Sequence, residues 1–340
     1  MFRVDKLNYY DKFSCSMGDC PENCCQMDWN ILLDKAAYEK YQNCEDKRVS
    51  SFISDESPHL IMKKDGKCPF FQEDGLCFLH REYGAEFQCE TCRNYPRFTS
   101  VYEDLYVVTL APSCPAVLDI LWEEEKTEIQ TQMYYESQEE LKEKEFHVSE
   151  EMAGKLAFRT QILKLAQNRE FSLGNRVRMI MDSLGVPEVQ ADSFENAAWM
   201  LEFVQRKCLV NDKIKAQATM IKEKKTALCL ETIKNAAETY QEFTKFFGHL
   251  LVYSIFEQVL HLKDNSEKTK QEWFEKICLR LATIQYWIVA LYLAKGVVTR
   301  EDCNTAVYSI MRVIDHFEGM WEDYYREWKR TGKKIPEVLW

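Results

Sequence analysis

Beyond about residue 150, apolar residues recur every three to four positions, the spacing of helices that bury one face. GKLAFRTQILKLAQNR, SFENAAWMLEFVQRKCLV, the stretch from Ala227 to His261, EKTKQEWFEKICLRLATIQYWIVALYLAKG and REDCNTAVYSIMRVIDHFEGMWEDYYREWKR all repeat at that period. Gly174, Pro187 and Gly296 punctuate the series, and Ser193 and Thr299 stand at N-cap positions. At least five helices forming a bundle are predicted. There is no solenoid-type repeat and no low-complexity tract.

The earlier part of the chain has another texture. Residues 1–30 read as irregular. ILLDKAAYEKYQN, from Ile31, reads as an amphipathic helix with Asn30 as its N-cap. Residues 58–115 hold Pro58, Pro69, Pro96, Pro112 and Pro115 together with Gly66, Gly75 and Gly84, which predicts loops, short strands and short helices. A short strand is predicted near Leu105–Leu110, where Val, Tyr and Thr gather.

Composition narrows the class. The 340 residues are 46% hydrophobic and 29% charged, as in globular proteins, and only 11 are glycine and 8 proline, which favours helices. A net charge of −11 argues against a general nucleic-acid binder. The longest uncharged apolar run, LATIQYWIVALYLA, suits a buried core helix better than a membrane span, so no membrane insertion is expected. MFRVDKLNYYDKF has no apolar core of a signal peptide, and the expected location is the cytoplasm. Residues 1–120 carry a net charge of −7, residues 121–151 −8 and the remainder +4. The middle stretch reads as a solvated, partly helical acidic connector, with docking of a basic partner as its second reading. The predicted organisation is thus a cysteine-rich module over 1–120, a connector over 121–151 and a helical domain over 152–340. The fold class is mainly α, with minor β in the N-terminal metal-binding module.

Ten of the 14 cysteines fall in the first 114 residues. Four clusters stand out: Cys15-x4-Cys20-x3-Cys24-Cys25, Cys68-x8-Cys77-x2-His80, Cys89-x2-Cys92 and Ser113-Cys114-Pro115. Closely spaced thiols in a chain without an export signal point to metal or cluster ligation, since thiolates suit zinc and iron–sulfur centres. Adjacent Cys24 and Cys25 do not easily chelate one ion, so they face different metals or one is structural. Cys208, Cys229, Cys278 and Cys303 sit in helical patterns and read as small buried hydrophobes.

The block CPENCCQMDWNILLDKAAYEKY, then CPFFQEDGLCFLHREYGAE, then TCRNYPR, then SCP resembles the flagellin lysine-N-methylase family, within a wider group of cysteine-rich zinc- or iron-chelating domains. The resemblance covers roughly residues 1–120 in detail and continues more weakly in FFGHLLVYSIF and AVYSIMRVIDH. It implies methyl transfer from S-adenosyl-L-methionine to flagellin lysines, and an Fe–S centre, 4Fe–4S in type, with zinc as the alternative. The motif cysteines it carries over are Cys15, Cys20, Cys24, Cys25, Cys68, Cys77, Cys92 and Cys114. Cys44 and Cys89 fit less well, Cys89 as a substitute ligand. Eight thiols exceed one four-cysteine site, so there are two sites or some thiols are structural.

Lysine methylation needs a neutral amine, whereas free lysine has a pKa of about 10.4. Candidate catalytic residues are Asp28, Tyr95, Arg312, Asp315 and His316. The last three share a helical face at i, i+3 and i+4, a spacing that more commonly marks a salt-bridged network and that the resemblance brings into a substrate pocket. Arg93 and Arg97 are candidates for binding a cofactor or a sulfur beside Cys92. His80 reads as half-buried, His249 as a satisfied core histidine, and Trp29 as packing over the metal loop. No glycine-rich Rossmann loop and no Cys-x3-Cys-x2-Cys run is present. Alternatives from other classes are a zinc or iron carrier, a metal-stabilised interaction module and an Fe–S electron-transfer protein.

Overall fold

The computed structural model describes residues 1–27, 29–135, 146–186, 194–222, 239–317, 319–336 and 338. Asp28, Pro187, Ser193 and Cys229, singled out above, lie outside them.

A four-stranded sheet organises the first third. Its strands are β1 (Phe2–Leu7), β2 (Arg97–Tyr102), β3 (Leu105–Leu110) and β4 (Ile129–Tyr134), in the order β2-β3-β1-β4. β1 runs parallel to β3, with Val4 beside Tyr106, and antiparallel to β4, with Val4 beside Gln132. β3 is the strand expected from sequence. β1 and β4 correct two expectations, because residues 2–7 are not irregular and the acidic stretch contributes an edge strand. In β1 the residues facing the core are Asp5 and Leu7. Asp5 is fully buried, ion-paired to Arg3 at 2.7 Å and to the buried Arg159, and it accepts from Thr131 Oγ1 at 2.8 Å. Burial alone would raise its pKa, but the hydrogen bonds and charge of Arg3 and Arg159 outweigh that and hold it below the ordinary 3.8.

The chain leaves the sheet at Leu7 and re-enters at Arg97, and nine of the ten early cysteines lie in that excursion. Exit and entry are clamped together: Arg97 Nη2 donates to the Phe13 carbonyl at 3.3 Å, and its guanidinium lies 4.7 Å from the Phe13 ring centre. The excursion holds short helices α1 (Lys35–Gln42), α2 (Lys47–Ser50), α3 (Phe78–Tyr83) and α4 (Glu90–Asn94). α1 starts four residues later than expected. Its N-cap is not Asn30 but Asp34, whose Oδ1 accepts from the Ala37 amide at 2.9 Å. Leu32 is instead drawn into a bridge with Leu60.

α5 (Pro115–Glu123) follows the sheet. Then come α6 (Glu150–Ala166), α7 (Leu173–Ser183), α8 (Phe194–Lys207), α9 (Asp212–Lys222), α10 (Gln241–Gln258), α11 (Glu267–Lys295), α12 (Arg300–His316) and α13 (Met320–Arg330). The molecule is mainly α, with thirteen α-helices among the described residues. α11 is the axis of the bundle. It is long and apolar enough to cross a membrane, but 83% of its most apolar window is buried inside the protein, which makes it a core helix. It ends at Gly296, whose φ of +78° closes the helix in a left-handed conformation that a side chain disfavours. α12 opens with the expected Thr299 cap, a full capping box with Asp302.

Two hydrophobic cores result. The larger joins β1, β3 and α5 to all the later helices. The smaller lies within residues 31–92 and contains eleven fully buried side chains, among them Cys44, Cys68 and Cys89. The sheet thus packs with the helical half.

Candidate metal centre

The cysteines are presented by turns and helix starts rather than by regular strands. Cys20 ends a 3₁₀ turn over Met17–Asp19, and Cys24 and Cys25 lie in another capped by Asn23. Cys77, Cys89 and Cys114 are the residues just before α3, α4 and α5, and Cys92 lies within α4. At Cys77 and Cys114 the first amides of the following helix point at the sulfur. The loops are brought together by Asn23, whose Nδ2 donates to the Gly75 carbonyl at 3.0 Å, and by the Cys68 amide, which donates to the Cys25 carbonyl at 2.9 Å. Gly75, at φ +80°, passes so near Gly18 that a Cβ would meet backbone at 3.2 Å.

Seven of the eight motif cysteines, Cys15, Cys20, Cys24, Cys25, Cys77, Cys92 and Cys114, line one cavity of about 520 Å³. The eighth, Cys68, is a free thiol buried in the small core and within hydrogen-bonding reach of the Cys25 thiol. Cys25 stands between Cys24 and Cys68 and keeps its proton, while hydrogen bonds from Cys25 lower Cys24 and Cys68 to about 7. Positive charge assists, from Arg312 and Lys63 at Cys24 and from Lys63 at Cys68. Cys89 pairs with Cys92 in the same way, lowering Cys89 and raising Cys92. Burial pushes the Cys20 and Cys77 thiols up, and Cys114 up to about 12. Cys44 is apart, with its sulfur 3.7 Å from the Tyr83 hydroxyl.

Among the described residues, no group of three or more His, Cys, Asp or Glu side chains closes around a common metal position. The donor chemistry nevertheless fits a thiolate-held centre. Seven thiols are in the cavity wall, Glu22 is its one carboxylate, and four arginines, Arg81, Arg93, Arg97 and Arg312, also line it. Of these, Arg312 is the fully buried one.

That guanidinium comes from the far end of the chain. Arg312, on α12, is fully buried. Its Nη2 donates to the Glu22 carbonyl at 2.8 Å, its Nη1 to Met27 Sδ at 3.1 Å and its Nε to the Ser113 carbonyl at 3.0 Å. One turn later, His316 Nε2 lies 2.8 Å from Ser113 Oγ, which is 3.1 Å from the Tyr95 hydroxyl. Trp29 packs edge-on against both His316 and Tyr95, at 4.8 and 5.1 Å. Burial lowers the His316 pKa, so the ring is neutral at pH 7. Trp29, Tyr95 and His316 border a second cavity of about 660 Å³, which shares Cys24, Cys25, Cys92, Tyr95 and Arg97 with the first.

The proposed trio on α12 is therefore split. Arg312 and His316 reach the cysteine loops, but Asp315 turns away and pairs with Arg280 at 3.0 Å. Residues at i and i+4 align more closely than i and i+3 on this face. Arg97 lines both cavities. Arg93 lines the first while pairing with the exposed Glu86 at 3.2 Å. His80 is half-buried at the cavity wall. His249 is a core histidine, bonded through Nδ1 to Thr127 Oγ1 at 2.5 Å and through Nε2 to the Glu124 carbonyl at 2.9 Å. Sequence reasoning missed Ser113, the hub of this network. The signal was its place beside Cys114.

No protein-family model and no solved structure matches the chain. Curated relatives do. A lysine-N-methylase of Salmonella typhimurium is 30% identical over 128 residues, which are 34% of this chain and 31% of that protein. The lysine-N-methylase of Salmonella choleraesuis matches to the same extent. The flagellar biosynthetic protein FliU of Salmonella muenchen is 30% identical over 127 residues, and 73% of its length is covered. The chain belongs to the flagellin lysine-N-methylase family. Its match to the two lysine-N-methylases spans about a third of their length, whereas the FliU match spans nearly three quarters of that shorter relative. Within the lysine-N-methylase family frame, the cysteine cavity and its aromatic neighbour are the features of this chain that call for a chemical role.

Proposed function

We propose that this chain is an S-adenosyl-L-methionine-dependent protein-lysine N-methyltransferase acting on flagellin in the cytoplasm, with a cysteine-held Fe–S cluster. The reading is carried by one observation: a sulfur-lined cavity and an aromatic cavity lie back to back and share a wall of Cys24, Cys25, Cys92, Tyr95 and Arg97. The names of the curated relatives support it. The cluster ligands come from Cys15, Cys20, Cys24, Cys25, Cys68, Cys77, Cys92 and Cys114. When bound, an Fe–S cluster supplies a redox centre whose potential follows from hydrogen bonds to sulfur and from burial.

The second cavity has the chemistry to receive a lysine side chain. Trp29, Tyr95 and Phe98 offer ring faces and edges to its methylene stem. Removal from water disfavours the charged amine and so lowers its pKa from about 10.4. His316, neutral and hydrogen-bonded through Ser113 to Tyr95, provides a row of groups along which the ammonium proton leaves. A neutral amine held in this way presents its lone pair to a methyl donor.

The test is anaerobic purification, analysis of metal and acid-labile sulfide, and a methyl-transfer assay on flagellin with the same preparation. Iron with sulfide and methylated lysine is the expected result. Zinc without sulfide, and no methylation by folded protein, would overturn the reading in favour of a zinc-stabilised binding module.

A further inference from the structure

A third cavity, of about 500 Å³, has no lining residue in common with the cysteine cavity. It is enclosed by the C-terminus of α6, the start of α7, the first half of α10 and the turn before β4. Four cationic side chains line it, Lys126, Arg169, Arg176 and Lys245, against one carboxylate, Glu128. This is a basic concavity on a chain of net charge −11.

Arg176 is the central feature. It is 4% exposed, and no carboxylate among the described residues lies within ion-pairing distance of it. Nη1 donates to the Ala166 carbonyl at 2.8 Å, but Nε is buried with no hydrogen-bond partner. A buried guanidinium is ordinarily paired, because leaving it unpaired costs its full desolvation. The fold makes room for it all the same. Gly248 of α10 lies directly against it, and a Cβ there would sit 3.2 Å from Nη1 and 3.3 Å from Nη2.

The other charges are unevenly engaged. Lys126 is paired with Glu128 at 2.8 Å and Lys245 with Glu125 at 3.4 Å, both at the exposed rim. Arg169 is exposed and close enough to Arg176 to depress its pKa further, after the larger effect of burial. Two guanidiniums thus line one space, and neither is ion-paired to a carboxylate among the described residues. Thr127 and His249, which also border the cavity, are bonded to each other, and the second ring nitrogen of His249 is taken by the Glu124 carbonyl, so the histidine has no nitrogen left for a ligand.

We propose that this cavity is a binding site for a small organic or inorganic anion, whose carboxylate or phosphate group is seated on Arg176 and Arg169. A planar guanidinium offers paired N–H donors to either oxyanion, and the volume admits a ligand of metabolite size. The site is separate from the cysteine cavity and does not depend on the methyltransfer reading.

The full-length chain is titrated calorimetrically with inorganic phosphate and, separately, with citrate. Saturable binding of one or both is expected, and the two arms distinguish a phosphate from a carboxylate ligand. Arg176→Gln is expected to weaken it by about tenfold or more, since it removes a charge-assisted pair. Should Arg176→Gln not fold, the exposed Arg169→Gln decides, with an expected loss of about threefold to tenfold. No saturable binding of either anion, or unchanged affinity in a folded arginine variant, would overturn the proposal.

Discussion

The two cores of this protein are stabilised by different means. The large core is a helix bundle with a sheet against one side, and its buried positions are filled by Leu, Ile, Val and aromatic side chains from the first strand to the last helix. The small core has eleven fully buried residues, helices of four to eight residues and isolated bridges in place of strands. Apolar area on that scale does not sustain an independent domain. Its thiols occupy the positions where a larger domain would have more hydrocarbon. The lesson is that the bundle needs no ligand to cohere, whereas the cysteine excursion is held at its edges: by Phe13 and Arg97 where it meets the sheet, and by Arg312 where it meets α12.

That contrast has measurable consequences. The largest effect is expected from replacing Cys24, Cys25 and Cys68 together by serine. Bound metal should be lost, and hydrogen exchange should rise throughout residues 20–92 while α11 remains protected. Retention of full metal content would show that these thiols are structural. Next comes the bundle side. Asp5→Ala strands Arg159 without its carboxylate and should cost about 3–5 kcal/mol in denaturant unfolding. The pH dependence has a definite sign. Asp5 has a folded pKa below its ordinary 3.8, so its contribution is complete above that value. It is lost as pH falls through the folded value. The stability gap between the parent and Asp5→Ala should therefore be constant above about pH 5 and shrink below 3.8.

Arg312→Met tests the seam between the two regions. It leaves the Glu22 and Ser113 carbonyls without their donor and should cost about 2–3 kcal/mol, seen as faster exchange in residues 20–27 with little change in α11. A uniform loss of protection throughout the molecule would mean that the two cores unfold as one unit. The smallest effect is expected at Thr299→Ala, which removes the α12 cap and should cost about 1 kcal/mol in thermal unfolding.

The helical half could be read from the sequence because its periodicity is driven by burial. α6, α8 and α10 to α13 overlap the segments that repeat every three to four residues, and Thr299 and Gly296 mark ends as their chemistry requires, whereas α7 and α9 lie outside those segments. β1 could not be read so. Its inward face carries Asp5, and a buried carboxylate neutralised by an arginine more than 150 positions away looks like a solvent-facing residue. β4 was hidden by the acidic residues on either side of it. The same limit applies at the site. The convergence of seven cysteines followed from their clustering, but the division of labour on α12 did not. Helical spacing puts Arg312, Asp315 and His316 together, and only the position of Arg280 draws Asp315 off. The basic cavity around Arg176 left no motif, since its residues come from three separated segments.

The reach of Arg312 also has a bearing on how the protein is made. It is 285 positions later in the chain than Met27, the residue it touches. At ordinary rates of synthesis, roughly 5–20 residues per second, the cysteine loops leave the ribosome on the order of 15–60 s before their buried guanidinium exists. Throughout that interval Glu22, Met27 and Ser113 lack the contact that fastens them to the bundle. The part of the cavity wall that Arg312 supplies is therefore the last to be synthesised, and a group taken up by the nascent loops would have to be held without it.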